Sequence, residues 1–226
     1  MRQAPAMIGS EDSTIQVLSR VPRAGPHVGL TFDDCNHEGA WLEILRILDA
    51  NDVRASFFPS GMRVKQFPEA ARRTVSRGHA VGSHGWDHSR LRALEPEAIE
   101  AQLRADLETW RRSVGLDSLC FFRPPYGEYD ERVLRAAGGL GFSHLVLWDV
   151  DPRDWETTAA PRAVEEHVLR TARAGSIVEL HVTEKTARAL RPMIEGLRRR
   201  GLEPVSLATL LQQQGSADRP SPATRS

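Results

Sequence analysis

Two adjacent carboxylates, Asp33 and Asp34, close the apolar run from Val28 to Phe32. Along a strand, neighbouring side chains point to opposite faces. Where the strand ends and the chain turns, both carboxylates can reach one cavity, one holding a metal while the other accepts a proton. Alone, such a pair reads equally as a turn or a helix cap, both of which Asp favours. Four later segments supply the rest of a metal-hydrolase site. His84 and His88 stand four residues apart, a spacing that lets both rings meet one ion. With Asp34 they make two imidazoles and one carboxylate, and catalytic zinc sites keep three protein ligands and an open position. In Arg123-Pro124-Pro125-Tyr126-Gly127 the prolines fix φ and Gly127 permits a turn. Such a stiff loop can aim a backbone N–H at a developing oxyanion, and Arg123 can pair with Asp33 and keep it ionised. The stretch Trp148 to Trp155 carries Asp149, Asp151 and Asp154 between two indoles. A carboxylate beside a histidine raises its pKa and fixes its tautomer, as a general acid requires. The strand ending in His181 delivers that histidine, which by itself would read as structural.

These groups need elements that bring them together. Short apolar runs at Val28–Phe32, Ala55–Phe58, His79–Ser83, Leu119–Phe122, His144–Trp148, Ser176–Leu180 and Pro204–Ser206 read as strands. Between or after them, helical spacing places helices at Trp41–Leu48, Phe67–Arg77, Glu95–Val114, Asp130–Ala137, Arg162–Ala174, Ala187–Arg200 and Leu207–Gln213. This alternation means an α/β fold with a parallel sheet, open or closed into a barrel. In both architectures the active site lies at the carboxyl ends of the strands. Asp33-Asp34, His84, Arg123, the Asp149–Trp155 segment and His181 all fall there. Residues 1–26 read as an N-terminal lead-in, 27–213 as one domain, and 214–226 as a disordered tail.

With 226 residues, 40% hydrophobic and 27% charged, the chain is long enough for one full core. Its formal net charge is zero, which argues against a nucleic-acid partner. No run approaches the length of a membrane span, and the first residues lack the apolar stretch of a signal peptide. The expectation is a cytoplasmic protein, or an extracellular one if the sequence is a piece of a longer chain. Two cysteines, Cys35 and Cys120, make no disulfide framework.

The motifs together resemble those of the NodB-homology polysaccharide deacetylases, carbohydrate esterase family 4. The family patterns T-F-D-D-G, H-[ST]-x-x-H, R-x-P-Y-G, D-x-x-D-W and L-x-H correspond to Thr31–Cys35, His84–His88, Arg123–Gly127, Asp151–Trp155 and Glu179–His181. The Asp-Pro-Arg-Asp-Trp string resembles the chitooligosaccharide deacetylase branch. The resemblance implies a distorted barrel of about seven βα units that removes N-acetyl groups from amino sugars of an oligo- or polysaccharide. It implies Asp33 as general base, and Asp34, His84 and His88 as ligands of a divalent metal, zinc first, with cobalt, nickel or manganese as alternatives. It further implies that Arg123 orients Asp33, that Asp154 tunes the general acid His181, and that a metal-bound water attacks. The Tyr126 N–H would then face the oxyanion, with Trp155, Pro125 and Glu179 bordering the substrate.

The chain departs from the pattern at four places. Cys35 replaces a glycine, as a thiol that narrows the site or as a small buried side chain. Gly85 replaces the hydroxyl residue that steadies the second histidine, a role that passes to Asp87 or Ser89. Val182 replaces a common Asp. Glu179 replaces the apolar residue of the acetyl pocket, usually Leu. Glu179 and the absence of a signal peptide keep open a second reading, a C–N hydrolase of the same fold acting on a small non-glycan amide. A third, non-catalytic carbohydrate binding, gives no reason to keep a base, an acid and three ligands together.

Overall fold

The computed structural model describes residues 15–217. Its strands are β1 (Gln16–Leu18), β2 (His27–Asp34), β3 (Ser56–Pro59), β4 (Ala80–Ser83), β5 (Phe121–Phe122), β6 (His144–Val146), β7 (Ile177–His181) and β8 (Glu203–Val205). The helices are α1 (Glu38–Ala50), α2 (Gly61–Gln66), α3 (Pro68–Ser76), α4 (Pro96–Val114), α5 (Glu131–Gly139), α6 (Pro161–Thr171), α7 (Glu184–Arg199) and α8 (Leu207–Ala217). Among the described residues, no helix is long and apolar enough to cross a membrane.

Every strand pairing is parallel, in the order β1-β6-β5-β4-β3-β2-β7, with β8 beside the first residues of β2. The two ends of this curved sheet are stitched by single bridges, Arg20 to Ser176 and Val150 to Val178. The result is the distorted α/β barrel that the family resemblance implies. Along β2 the residues alternate between two apolar layers. Val28, Leu30 and Phe32 face the helices and join the large core, which holds Trp41, Ile44, Leu45 and Leu48 of α1. That i, i+3, i+4, i+7 stripe makes α1 a helix with one buried face. Trp41 is fully buried and donates its indole N–H to Thr74 at 3.0 Å. Truncating it to Ala would cost about 3–5 kcal/mol. The inward row of β2 reads Gly29, Thr31, Asp33. At Gly29 a Cβ would stand 3.2 Å from Leu210 and 3.3 Å from Leu207, so α8 closes the barrel at this end and the glycine makes room for it. The polar groups of the row lie toward the opposite end.

Local caps place the helices that carry the site loops. Pro96 opens α4, and Gly115 ends it in the left-handed region at φ 85°. Thr183, just after β7, accepts from the Thr186 N–H at 3.1 Å and starts α7.

The structure differs from the sequence expectation in three places. Residues 16–18, inside the expected lead-in, form β1 and pair with β6, while residues 1–14 lie outside the described residues. Helix α2 had no counterpart; it is six residues long and buries only Gly61 and Val64, too few for a periodic signal. Residues 214–217 of the expected tail form the last turn of α8, and 218–226 lie outside the described residues.

Candidate active site

Parallel register sets the geometry. On the adjacent strands β2 and β7, Asp33 pairs with His181 and Thr31 with Glu179. Neighbouring strands lie about 4.8 Å apart, so the base and acid candidates face one cavity from opposite sides of one strand gap. That cavity, of about 510 Å3, is lined by Asp33, Asp34, His84, His88, Tyr126, Trp155, Glu179 and His181, together with Arg90, Trp148 and Asp151.

Asp33 is buried and takes a 2.7 Å hydrogen bond from the Arg123 guanidinium. Arg123 is itself wholly buried. Its other N–H groups donate to Thr31 Oγ1 at 2.8 Å and to the carbonyls of Val146 and Leu147 at 3.2 and 3.3 Å. The faces of Phe58 and Trp148 cover it at 4.4 and 5.5 Å. A buried charge is tolerated only when paired and hydrogen-bonded in this way. His181 stands on a second such support. Asp154, fully buried, accepts from His181 Nδ1 and from its backbone N–H, both at 2.8 Å, and from Thr186 Oγ1 at 2.6 Å. Burial alone would lower the His181 pKa, but the Asp154 carboxylate, with the charges of Asp33 and Glu179, pushes it up to about 10.

The third group has a different character. Asp34 Oδ1 lies 3.1 Å from His88 Nε2 and 3.5 Å from His84 Nε2, and candidate ligand atoms of the three residues lie within 4.8 Å of one another. His84 Nδ1 sits 2.8 Å from the Arg123 carbonyl, so Nδ1 carries the proton and Nε2 presents a lone pair. Asp34 Oδ1 is buried without a hydrogen-bond donor. Two ring nitrogens and an orphaned carboxylate oxygen converging on one point fit a divalent cation. Nitrogen and oxygen donors of this kind suit zinc and its first-row neighbours.

The loops that carry these groups hold most of the strained backbone. Of the seven non-glycine residues with positive φ among the described residues, Asp34, Cys35, His88, Tyr126 and Arg153 belong to them. Such conformations cost about 1–3 kcal/mol each and persist where the surroundings enforce them.

Several expectations meet a different arrangement. Pro125 is buried and stays out of the cavity; it backs Gly85, where a Cβ would lie 3.8 Å from its ring. Asp87 does not reach the His88 ring. It takes the Ser89 N–H at 3.0 Å and the Gln102 amide at 2.9 Å, and His88 is instead wedged edge-on against His84 and Tyr126. Cys35 is a fully buried core side chain. Glu179 does line the cavity, only 5% exposed. Burial, reinforced by the Asp33 charge, pushes its carboxyl well above the usual carboxylate range. Arg90 was not foreseen. It lies over the Tyr126 ring at 4.0 Å and pairs with Glu128, contacts that its position two residues past His88 does not announce.

The polysaccharide deacetylase family model matches residues 20–145. A chitooligosaccharide deacetylase from Sinorhizobium fredii is 35% identical over 170 residues, spanning 74% of this chain and 78% of the relative. A solved peptidoglycan N-acetylglucosamine deacetylase superposes with a TM-score of 0.82 at 29% identity, covering 88% of this chain and 94% of that one. A CE4 family pseudoenzyme from Bacillus anthracis superposes equally well, TM-score 0.82 at 28% identity, over 87% of this chain and 69% of its own. In fold, motif order and overall match, this chain belongs to the polysaccharide deacetylase family.

Proposed function

We propose that this chain hydrolyses N-acetyl groups of amino sugars in an oligo- or polysaccharide, with Asp33 as base and His181 as acid. The observation that carries the reading is their register pairing on adjacent strands, each with its own buried partner. Arg123 holds Asp33 through a 2.7 Å hydrogen bond and aims it at the cavity, where it takes a proton from the attacking water. Asp154 holds the Nδ1 proton of His181, so Nε2 presents its own proton to the departing amine. Asp34, His84 and His88 would hold a divalent cation, zinc by their chemistry, which when bound polarises the scissile carbonyl and lowers the pKa of water. The Tyr126 N–H is the chain's own donor to the oxyanion. The half-exposed faces of Trp155 and Tyr126, 53% and 51% exposed at the cavity, suit the apolar faces of sugar rings and favour a glycan over a small free amide.

The fold alone does not guarantee turnover, since a pseudoenzyme shares it. The direct test is acetate release from N-acetylated chitooligosaccharides by zinc- or cobalt-loaded protein. Wild type should release acetate, and Asp33→Asn should be slower by about 10^3-fold. Absence of acetate from folded, metal-loaded wild type would reject the reading.

A further inference from the structure

Two carboxyls of the cavity, Asp151 and Glu179, are left unused by the mechanism above; Asp151 accepts the Arg153 N–H at 2.7 Å, and only Glu179 is buried. Glu179 stands two residues before His181 on the same face of β7, opposite Thr31, one layer deeper than the acid and base. Its side chain borders the cavity yet is almost wholly buried, and no described side chain donates a hydrogen bond to it. Arg123 commits four of its five N–H groups to Asp33, Thr31, Val146 and Leu147, and none of these bonds goes to Glu179. The Thr31 hydroxyl is spent as well, donating to the Val178 carbonyl at 2.7 Å. Charged or titratable neighbours are Asp33, Arg123, His181 and Asp151, and none of them supplies a partner. A carboxyl at the cavity wall with no protein donor becomes costly once a substrate covers it, unless the substrate supplies the hydrogen bond.

An acetyl methyl placed here would leave both oxygens unpartnered. A hydroxyl on that carbon satisfies them, because a hydroxyl both donates and accepts. It can serve the carboxylic acid or the carboxylate. A longer acyl chain meets the Thr31–Arg123 layer, which is filled. We propose that Glu179 selects the acyl group, hydrogen-bonding a hydroxyl on the carbon next to the scissile carbonyl, so that N-glycolyl amino sugars are hydrolysed in preference to N-acetyl ones. This rests on the deacylase reading and names its acyl specificity.

The test compares glycolate and acetate release from matched N-glycolyl and N-acetyl glucosamine oligosaccharides by zinc-loaded wild type, Glu179→Leu and Glu179→Gln. Comparing ratios between variants cancels the intrinsic reactivity of the two amides. Wild type should favour glycolyl by about 10-fold or more in kcat/KM, and Glu179→Leu should shift the ratio about 100-fold toward acetyl while raising acetate release. Glu179→Gln, whose amide also donates and accepts, should keep the glycolyl preference. Acetate release with a ratio unmoved by Glu179→Leu would overturn the proposal and leave the deacetylase reading standing. Release of neither acyl group by folded, metal-loaded wild type would overturn both.

Discussion

On the Asp33–His181 side of the cavity, each working group is held by a buried residue of opposite charge, Arg123 or Asp154, through hydrogen bonds of 2.7–2.8 Å. On the Asp34–His84–His88 side, Asp34 Oδ1 has no donor, His88 is held by ring contacts, and only the outer Asp34 oxygen receives a bond, 3.2 Å from Asn36. The first side is complete as a protein structure. The second is a set of lone pairs facing one point, and its local electrostatics close only with a cation. The contrast shows that preorganisation is uneven. Buried counter-charges fix Asp33 and His181, whereas among Asp34, His84 and His88 only His84 has a comparable buried hydrogen bond, to the Arg123 carbonyl at 2.8 Å.

The largest effects should separate the two sides cleanly. Zinc is expected to raise the Tm of wild type, and His84→Ala is expected to abolish both zinc binding and that rise. Asp33→Asn should keep that rise while losing turnover. If Asp33→Asn also loses zinc, read by calorimetry on both variants, the two sides are one unit and the comparison fails. A smaller effect is expected from Asp154→Asn. His181 must be protonated to act as the acid, so activity falls as pH rises through its pKa, near 10 with Asp154 in place. Removing that carboxylate lowers the pKa, and the alkaline limb of kcat/KM should move down by roughly 1–3 pH units. An unmoved limb would show that Asp154 only holds the ring. Least affected should be Asn36→Ala. Asn36 is exposed, and Arg63 fixes its amide from 2.7 Å. Its loss should weaken zinc binding by about 10-fold or less in titration, at the low end for outer partners of metal ligands. A complete loss would mean that the metal side is more dependent on protein support than its geometry indicates.

The β2 and β7 motifs were legible in combination: paired carboxylates at a strand end and a terminal histidine each read as structural alone and gain meaning from the segments between them. What stayed hidden depended on distant partners. The three residues of β1 carry no periodicity and are strand only because β6 lies beside them. Arg90 reaches the cavity by lying on Tyr126, thirty-six positions away. Pro125 belongs to a site motif, yet its ring turns inward to support Gly85, and a motif cannot distinguish lining a wall from backing it. The Glu179 position, by contrast, followed from the family resemblance, whose last pattern sets that residue in the acetyl pocket.

Cys35 gives the turn after Asp34 a built-in clock. Its sulfur is wholly buried, whereas Cys120, the other cysteine, is exposed. An alkylating reagent would modify Cys120 at the solvent rate and Cys35 only during excursions that open the Asp34–Cys35 turn. The slow phase would therefore time the breathing of the ligand loop itself, and its slowing on adding zinc would measure how far a cation locks that loop, with no substrate required.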